Sequence, residues 1–184
     1  MTPTTEQQQQ PVLVIMGVSG SGKSTVAAIL AGQLGWDLEE GDDLHPARNV
    51  AKMASGQPLT DDDRWPWLDK VSAWITDHTT AGIPGIITCS ALKRSYRQII
   101  IGDRPQVRLV YLRGGRELIA EHLEGRHGHF MPAALLRSQI DTLEEPDPSE
   151  DPLTVDAGQS ATQVADEIIR LLGSSATISH GAAA

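Results

Sequence analysis

A glycine-rich turn, Gly17-Val18-Ser19-Gly20-Ser21-Gly22-Lys23-Ser24, separates an apolar run, Val12 to Met16, from a stretch with helical spacing that ends at Leu34. No other feature constrains the fold as tightly. The turn fits G-x-x-x-x-G-K-[ST] and is followed by Thr25, a pattern that has physical meaning only where a buried strand enters it and a helix leaves it. Val26, Ile29, Leu30 and Leu34 share one face of that helix, and Gly35 follows as its terminating glycine. The glycines let successive backbone N–H groups point inward, and the helix N-terminus adds partial positive charge. Such a cradle takes phosphate oxygens. Gly17 to Thr25 are therefore the candidate nucleotide-binding residues, with Lys23 between the β- and γ-phosphates of ATP and the Ser24 hydroxyl on Mg²⁺.

Downstream, short apolar runs alternate with helical patterns. Strands are expected at Trp36–Glu39, Gly85–Cys89, Val107–Leu112 and Leu153–Val155. Helices are expected from Pro46 to Gly56 with Val50 and Met53 on one face, and from the N-cap Thr60 with Leu68, Val71 and Ile75 buried. Further helices should run through Leu92, Tyr96, Ile99 and Ile100, through Leu118 to Leu123, and from Pro132 with Leu135, Leu136, Leu143 and either Gln139 or Ile140 inside. A last helix spans Ser160 to Leu172. Strands that are short and apolar on both faces imply a parallel sheet covered on both sides. Residues 1–10 and 174–184 carry no periodic apolar pattern and read as disordered tails, which leaves one domain over 11–173.

The longest apolar run is far short of the roughly 20 residues that span a bilayer, the Gln-rich start has no secretory pattern, and Cys89 is the one cysteine among 184 residues. A cytoplasmic protein with no membrane partner and a buried thiol is expected. A net charge of −9 argues against nucleic acid. Yet Lys93, Arg94, Arg97, Arg104, Arg108, Arg113, Arg116, Arg126 and Arg137 hold nine of the fifteen basic residues, so a local site for a small anion remains open.

A phosphate loop alone leaves the reaction undecided. The guanine-reading N-K-x-D signature is missing, and Asp156-Ala157-Gly158-Gln159 reads as a turn at a strand end. No strand ends in an Asp-Glu pair; the one at Gly85 runs instead into Thr88-Cys89-Ser90. A small-molecule kinase fits better. Phosphoryl transfer to an alcohol needs a carboxylate for the hydroxyl proton and an acid near Mg²⁺. Glu40-Gly41-Asp42 stands at the carboxyl end of the second strand, where open α/β sheets place ligands. Asp42 is the candidate for the first role and Glu40 for the second. Arg126-His127-Gly128-His129-Phe130, flanked by Gly125, interrupts two helices as a short closing segment would. His127 and His129 lack a third metal ligand nearby, and Trp65, Trp67 and Trp74 lie on one helix at the spacing of core or dimer contacts.

The run GDDLHPARNVAKMASGQPLTDDDRWPWL, with GVSGSGKST before it and CSALKRSYR, GHF and SQIDTLEEP after it, resembles the gluconokinase family of P-loop carbohydrate kinases. The resemblance extends over nearly the whole chain between the tails, and HPxxNxxKMxxGxPLxDxDRxPWL is its distinctive part. It implies a P-loop NTPase fold of the shikimate-kinase type: α/β, a five-stranded parallel sheet of order 2-3-1-4-5, helices on both faces and a lid at about 124–132. It also implies ATP-dependent phosphorylation of D-gluconate at its 6-hydroxyl, and a homodimer. Carried onto this chain, it puts Asp42 at the acceptor hydroxyl and His45, Arg48 and Arg64 around the sugar acid. Lys93 and Arg97 would supply charge to the carboxylate or the transferring phosphate. Arg126 would be the catalytic lid residue, with His129 beside it on the substrate side. Some relatives have Asp where this chain has Glu40. Two rivals stay open: another acid or nucleoside kinase on the same scaffold, and a switch protein that holds ATP without transferring phosphate.

Overall fold

The computed structural model describes residues 11–115, 117–119, 121 and 133–178. Five strands, β1 (Val12–Met16), β2 (Asp37–Glu40), β3 (Gly85–Thr88), β4 (Val107–Arg113) and β5 (Leu153–Asp156), form one sheet of order β2-β3-β1-β4-β5. All four pairings are parallel, as the resemblance implies. The helices are α1 (Lys23–Leu34), α2 (Ala47–Ala54), α3 (Asp61–Ala81), α4 (Arg94–Ile100), α5 (Ala133–Thr142) and α6 (Ala161–Ile178).

The two-residue period of β1 divides the core. Val12, Val14 and Met16 point to one side, onto Trp67, Leu68, Val71 and Ile75 of α3 and Tyr96 and Ile100 of α4. Leu13 and Ile15 point to the other, onto Val26, Ala27 and Leu30 of α1 and Val164, Ala165 and Ile168 of α6. Every β1 side chain is fully buried, which the central strand of a two-sided parallel sheet requires. No helix of the described residues is long and apolar enough to cross a membrane.

Three elements depart from the sequence reading. The edge strands are not apolar on both faces: β2 is Asp-Leu-Glu-Glu and exposed to half-buried, and β5 alternates buried with exposed. Each pairs on one side only, and charge there discourages further strand addition. In α2 the residue that turns inward is Asn49, while Val50 is 52% exposed. Finally, α6 continues to Ile178, so residues 174–178 are helix and not tail. Gly173 does not stop it, because the residues beyond contain no proline and continue a helix that packs along α1. The N-terminal tail, residues 179–184 and the 124–132 segment lie outside the described residues.

The loop after β2 is held by its glycine. A short 3₁₀ turn, Gly41–Leu44, crosses the end of β3 so closely that a Cβ on Gly41 would sit 2.0 Å from the Thr88 carbonyl oxygen. The Gly41 N–H donates to Thr88 Oγ1 at 3.2 Å, and its carbonyl accepts the Trp67 indole N–H at 2.6 Å. Gly41→Ala must therefore displace backbone, with an expected loss of about 1–3 kcal/mol in urea denaturation. An unchanged unfolding midpoint would show that the β3 end yields freely.

Candidate active site

The phosphate loop joins β1 to α1 with Gly17 at φ 152°, where an added Cβ would lie 2.6 Å from Ser21 Oγ. Gly22 caps α1 without a side-chain bond, and the first turn carries no acid. Neither a capping side chain nor a first-turn acid competes with an anion at this helix end. Ser21 Oγ is buried with no partner among the described residues. Lys23 Nζ folds back onto the carbonyls of Gly17 at 3.0 Å and Val18 at 3.1 Å, which keeps the ammonium inside the loop.

Glu40 is the meeting point of three elements. Its Oε2 accepts Ser24 Oγ of α1 at 3.0 Å and Thr88 Oγ1 at the end of β3 at 2.6 Å. The pairing of Glu40 opposite Thr88 across β2 and β3 sets this distance. A hydroxyl and a carboxylate oxygen side by side are hard donors of the kind Mg²⁺ takes, with phosphate and water oxygens completing its shell.

On the acceptor side, Lys23, Asp42, His45, Arg64, Trp67 and Ser90 line one cleft. Asp42 extends into it with its side chain 80% exposed. His45 is nearly buried and stacks on Trp67 with ring centroids 4.1 Å apart. Asn49 Nδ2 lies 3.3 Å from His45 Nδ1 and donates its other proton to the Asp63 carbonyl at 2.8 Å. With Nδ1 as acceptor, the imidazole carries its hydrogen on Nε2, which faces Asp42 Oδ1 at 4.0 Å. Burial lowers the pKa of His45; Asp42 works against this and Arg64 adds to it. The ring is therefore a neutral donor at pH 7.

The structure does not bring every expected residue here. Arg97 is buried and committed elsewhere: Nε and Nη2 hold Glu150 at 2.6 and 3.0 Å, and Nη1 donates to the carbonyls of Ala91 and Glu144. It ties α4 to the chain entering β5 and does not line the cleft. Arg48 is exposed on α2 and does not line the cleft. Lys93 is paired with Asp61, at 2.9 and 3.1 Å. Arg126 and His129 lie outside the described residues.

Comparison with known proteins gives the family. A family model described as an AAA domain matches residues 12–146. The gluconokinase of Gluconobacter oxydans (strain 621H) is 49% identical over 158 residues, covering 86% of this chain and 89% of that protein. The chain belongs to the gluconokinase family. Among solved structures, an unliganded sugar kinase from Janibacter sp. HTCC2649 has a TM-score of 0.83 at 43% identity, covering 89% of this chain and 95% of that one. A gluconokinase from Sinorhizobium meliloti 1021 has a TM-score of 0.76 at 44% identity, covering 85% and 88%.

Within this gluconokinase fold, several site residues escape a reading by motif. Thr88 reads as part of the apolar strand expected over Gly85–Cys89, yet its hydroxyl serves both Glu40 and Gly41. Gln139 sits on a helix face read as apolar, and its Oε1 accepts the Ser19 N–H of the phosphate loop at 2.7 Å. The signal available for both was a polar residue at a position that periodicity assigns to the interior.

Arg97→Ala should cost about 3–5 kcal/mol of stability, because it leaves the Glu150 carboxylate half-buried without its guanidinium. The folded variant should keep its KM for the acceptor. Unaltered denaturation together with a raised acceptor KM would return Arg97 to the substrate.

Proposed function

We propose that this protein transfers the γ-phosphoryl group of ATP to the 6-hydroxyl of D-gluconate, giving 6-phospho-D-gluconate and ADP. The observation that carries this reading is a single cleft that joins the phosphate-loop Lys23 to a carboxylate, a neutral imidazole and a guanidinium, Asp42, His45 and Arg64. Relatives named as gluconokinases support the choice of acceptor. A polyol needs several polar partners, and its carboxylate needs a cation.

In this reading the phosphate chain lies in the cradle of Gly17 to Thr25. Lys23 neutralises charge between the β- and γ-phosphates. The nucleoside end takes the groove on the other side of the loop, between Gly22 and Thr25 and the Gln159–Ser160 turn after β5. Ser24 and Glu40 would hold Mg²⁺, which when bound offsets the negative charge of the transferring group. Asp42 accepts the proton of the attacking hydroxyl, and the Nε2–H of His45 orients a neighbouring substrate oxygen. Arg126 belongs to the lid of this reading, and His129 to its substrate side. A cytoplasmic homodimer is part of it as well; sedimentation of the purified protein tests the assembly.

D-gluconate should stimulate ATP consumption far above the basal rate, whereas glucose, which lacks the carboxylate, should not, because it leaves a cation in the cleft unpaired. Equal turnover with the two would remove the sugar acid from the reading. Asp42→Asn should keep ATP binding while turnover falls about 10²- to 10⁴-fold, the usual worth of a positioned base. Lys23→Ala should damage both nucleotide binding and turnover. A folded Asp42→Asn enzyme with normal turnover would shift the base to Glu40.

A further inference from the structure

The resemblance puts four basic side chains near the sugar acid or the transferring phosphate, Arg48, Arg64, Lys93 and Arg97, and the structure places three of them otherwise. Arg97 is neutralised by Glu150, Lys93 by Asp61, and Arg48 does not line the cleft. Arg64 lines the cleft and has no carboxylate within ion-pair distance among the described residues. Its hydrogen bond goes to a neutral group, the Tyr96 hydroxyl, with Nη1 at 2.8 Å.

Tyr96 is built to hold that guanidinium. Its side chain is 1% exposed and its ring packs edge-on against Trp65, with centroids 5.6 Å apart. The Arg64 guanidinium carbon lies 5.4 Å from the ring centroid, and Lys93 Nζ lies 5.5 Å from it. The polarity of the hydroxyl is fixed by its neighbours. Asp61 is a carboxylate that can only accept, so the phenol donates to Asp61 Oδ1 and its lone pair receives Arg64. Burial and the Asp61 bond push the phenol pKa up, so it keeps this proton at neutral pH. Lys93 occupies both oxygens of Asp61 from another side.

Resting on the functional reading above, we propose that Tyr96 is a positioning residue that, anchored by Asp61, aims the Arg64 guanidinium at the carboxylate of the sugar-acid substrate. Arginine loses much rotamer freedom when it binds. A neutral acceptor fixes one N–H without cancelling the charge and leaves other N–H groups of the fork for a bidentate carboxylate. A carboxylate in place of the phenol would neutralise Arg64 and remove the selectivity.

This assignment predicts a particular kinetic split. The substrate carboxylate is remote from the reacting hydroxyl, so loss of Arg64 alignment weakens ground state and transition state alike. Tyr96→Phe keeps the ring and removes the hydroxyl. It should raise the KM for D-gluconate on the order of tenfold, one misaligned charge-assisted contact, with kcat and the KM for ATP near wild type. Asp61→Asn, which weakens the anchor from the exposed side, should give the same split and serves if Tyr96→Phe folds poorly. The decisive measurement is a cycle with Arg64→Met: once the guanidinium is gone, removing the hydroxyl should have no further effect on the gluconate KM. An equal rise in both backgrounds, or no rise in either single variant, overturns the positioning role while wild-type gluconate turnover leaves the functional reading standing. A wild-type protein inert with gluconate overturns both.

Discussion

The site depends on the closeness with which Gly41 lies over the end of β3. With no side chain, its backbone reaches within hydrogen-bond distance of Thr88, and its two peptide groups are held by Thr88 Oγ1 and the Trp67 indole. The residues on either side are aimed by this contact. Glu40 is directed at Ser24 and the phosphate loop, whereas Asp42 is directed across the cleft. Trp67 then does two jobs, because the indole that holds the Gly41 carbonyl also forms the floor on which His45 stacks. A buried aromatic of α3 thereby fixes Glu40, Asp42 and His45 relative to one another.

The second organising constraint is the pairing of charge. Nine basic residues fall between Lys93 and Arg137, and among the described ones Lys93, Arg97, Arg108 and Arg113 are each paired with an acid. Arg97 is closed into the protein by Glu150 and two carbonyls, which makes it a clamp between α4 and the approach to β5. Lys93 and Lys52 are drawn to opposite ends of one acidic turn, to Asp61 and Asp63. Asp63 also closes the capping box of α3 with Thr60, and these bonds hold its carboxyl well below the ordinary range. The acid run that reads in sequence as a helix cap therefore also takes up Lys52 and Lys93, while Arg64 reaches Asp61 only through the Tyr96 hydroxyl.

Much of the fold is legible in the sequence because its signals are local. The phosphate-loop spacing, the five apolar residues of β1, the Thr60 cap and the glycines after α1 and α2 each follow from the chemistry of a few adjacent residues. The edges of the sheet are less legible, because β2 owes its place to pairing with β3 and not to hydrophobicity of its own. Asn49 is hidden for a related reason: its interior position is stabilised by bonds to His45 and Asp63, which lie on different elements. The site divides the same way. Ser24, Glu40, Asp42, His45 and Arg64 are put forward by motif and resemblance, whereas the pairing of Arg97 with Glu150 and of Tyr96 with Asp61 is visible only once the fold shows which acid each one meets.

The topology explains why these parts converge where they do. From β1 the chain crosses to β2 at one edge, and from β3 it crosses to β4 on the other side of β1, so the connections diverge at the carboxyl ends of β1 and β3 and leave a crevice there. The phosphate loop fills that point because it leaves β1 directly. The acceptor cleft opens toward β3 and β2, and the Gln159–Ser160 groove opens toward β5. A donor and an acceptor can therefore approach the loop from opposite sides without competing for space. Gln139 adds a tie from α5 to the Ser19 N–H on that same loop. The loop is thus held by β1, by α1 and by α5, so a displacement of α5 would be felt at the phosphate cradle through one hydrogen bond and the small apolar cluster of Val18, Leu92, Leu136 and Ile140.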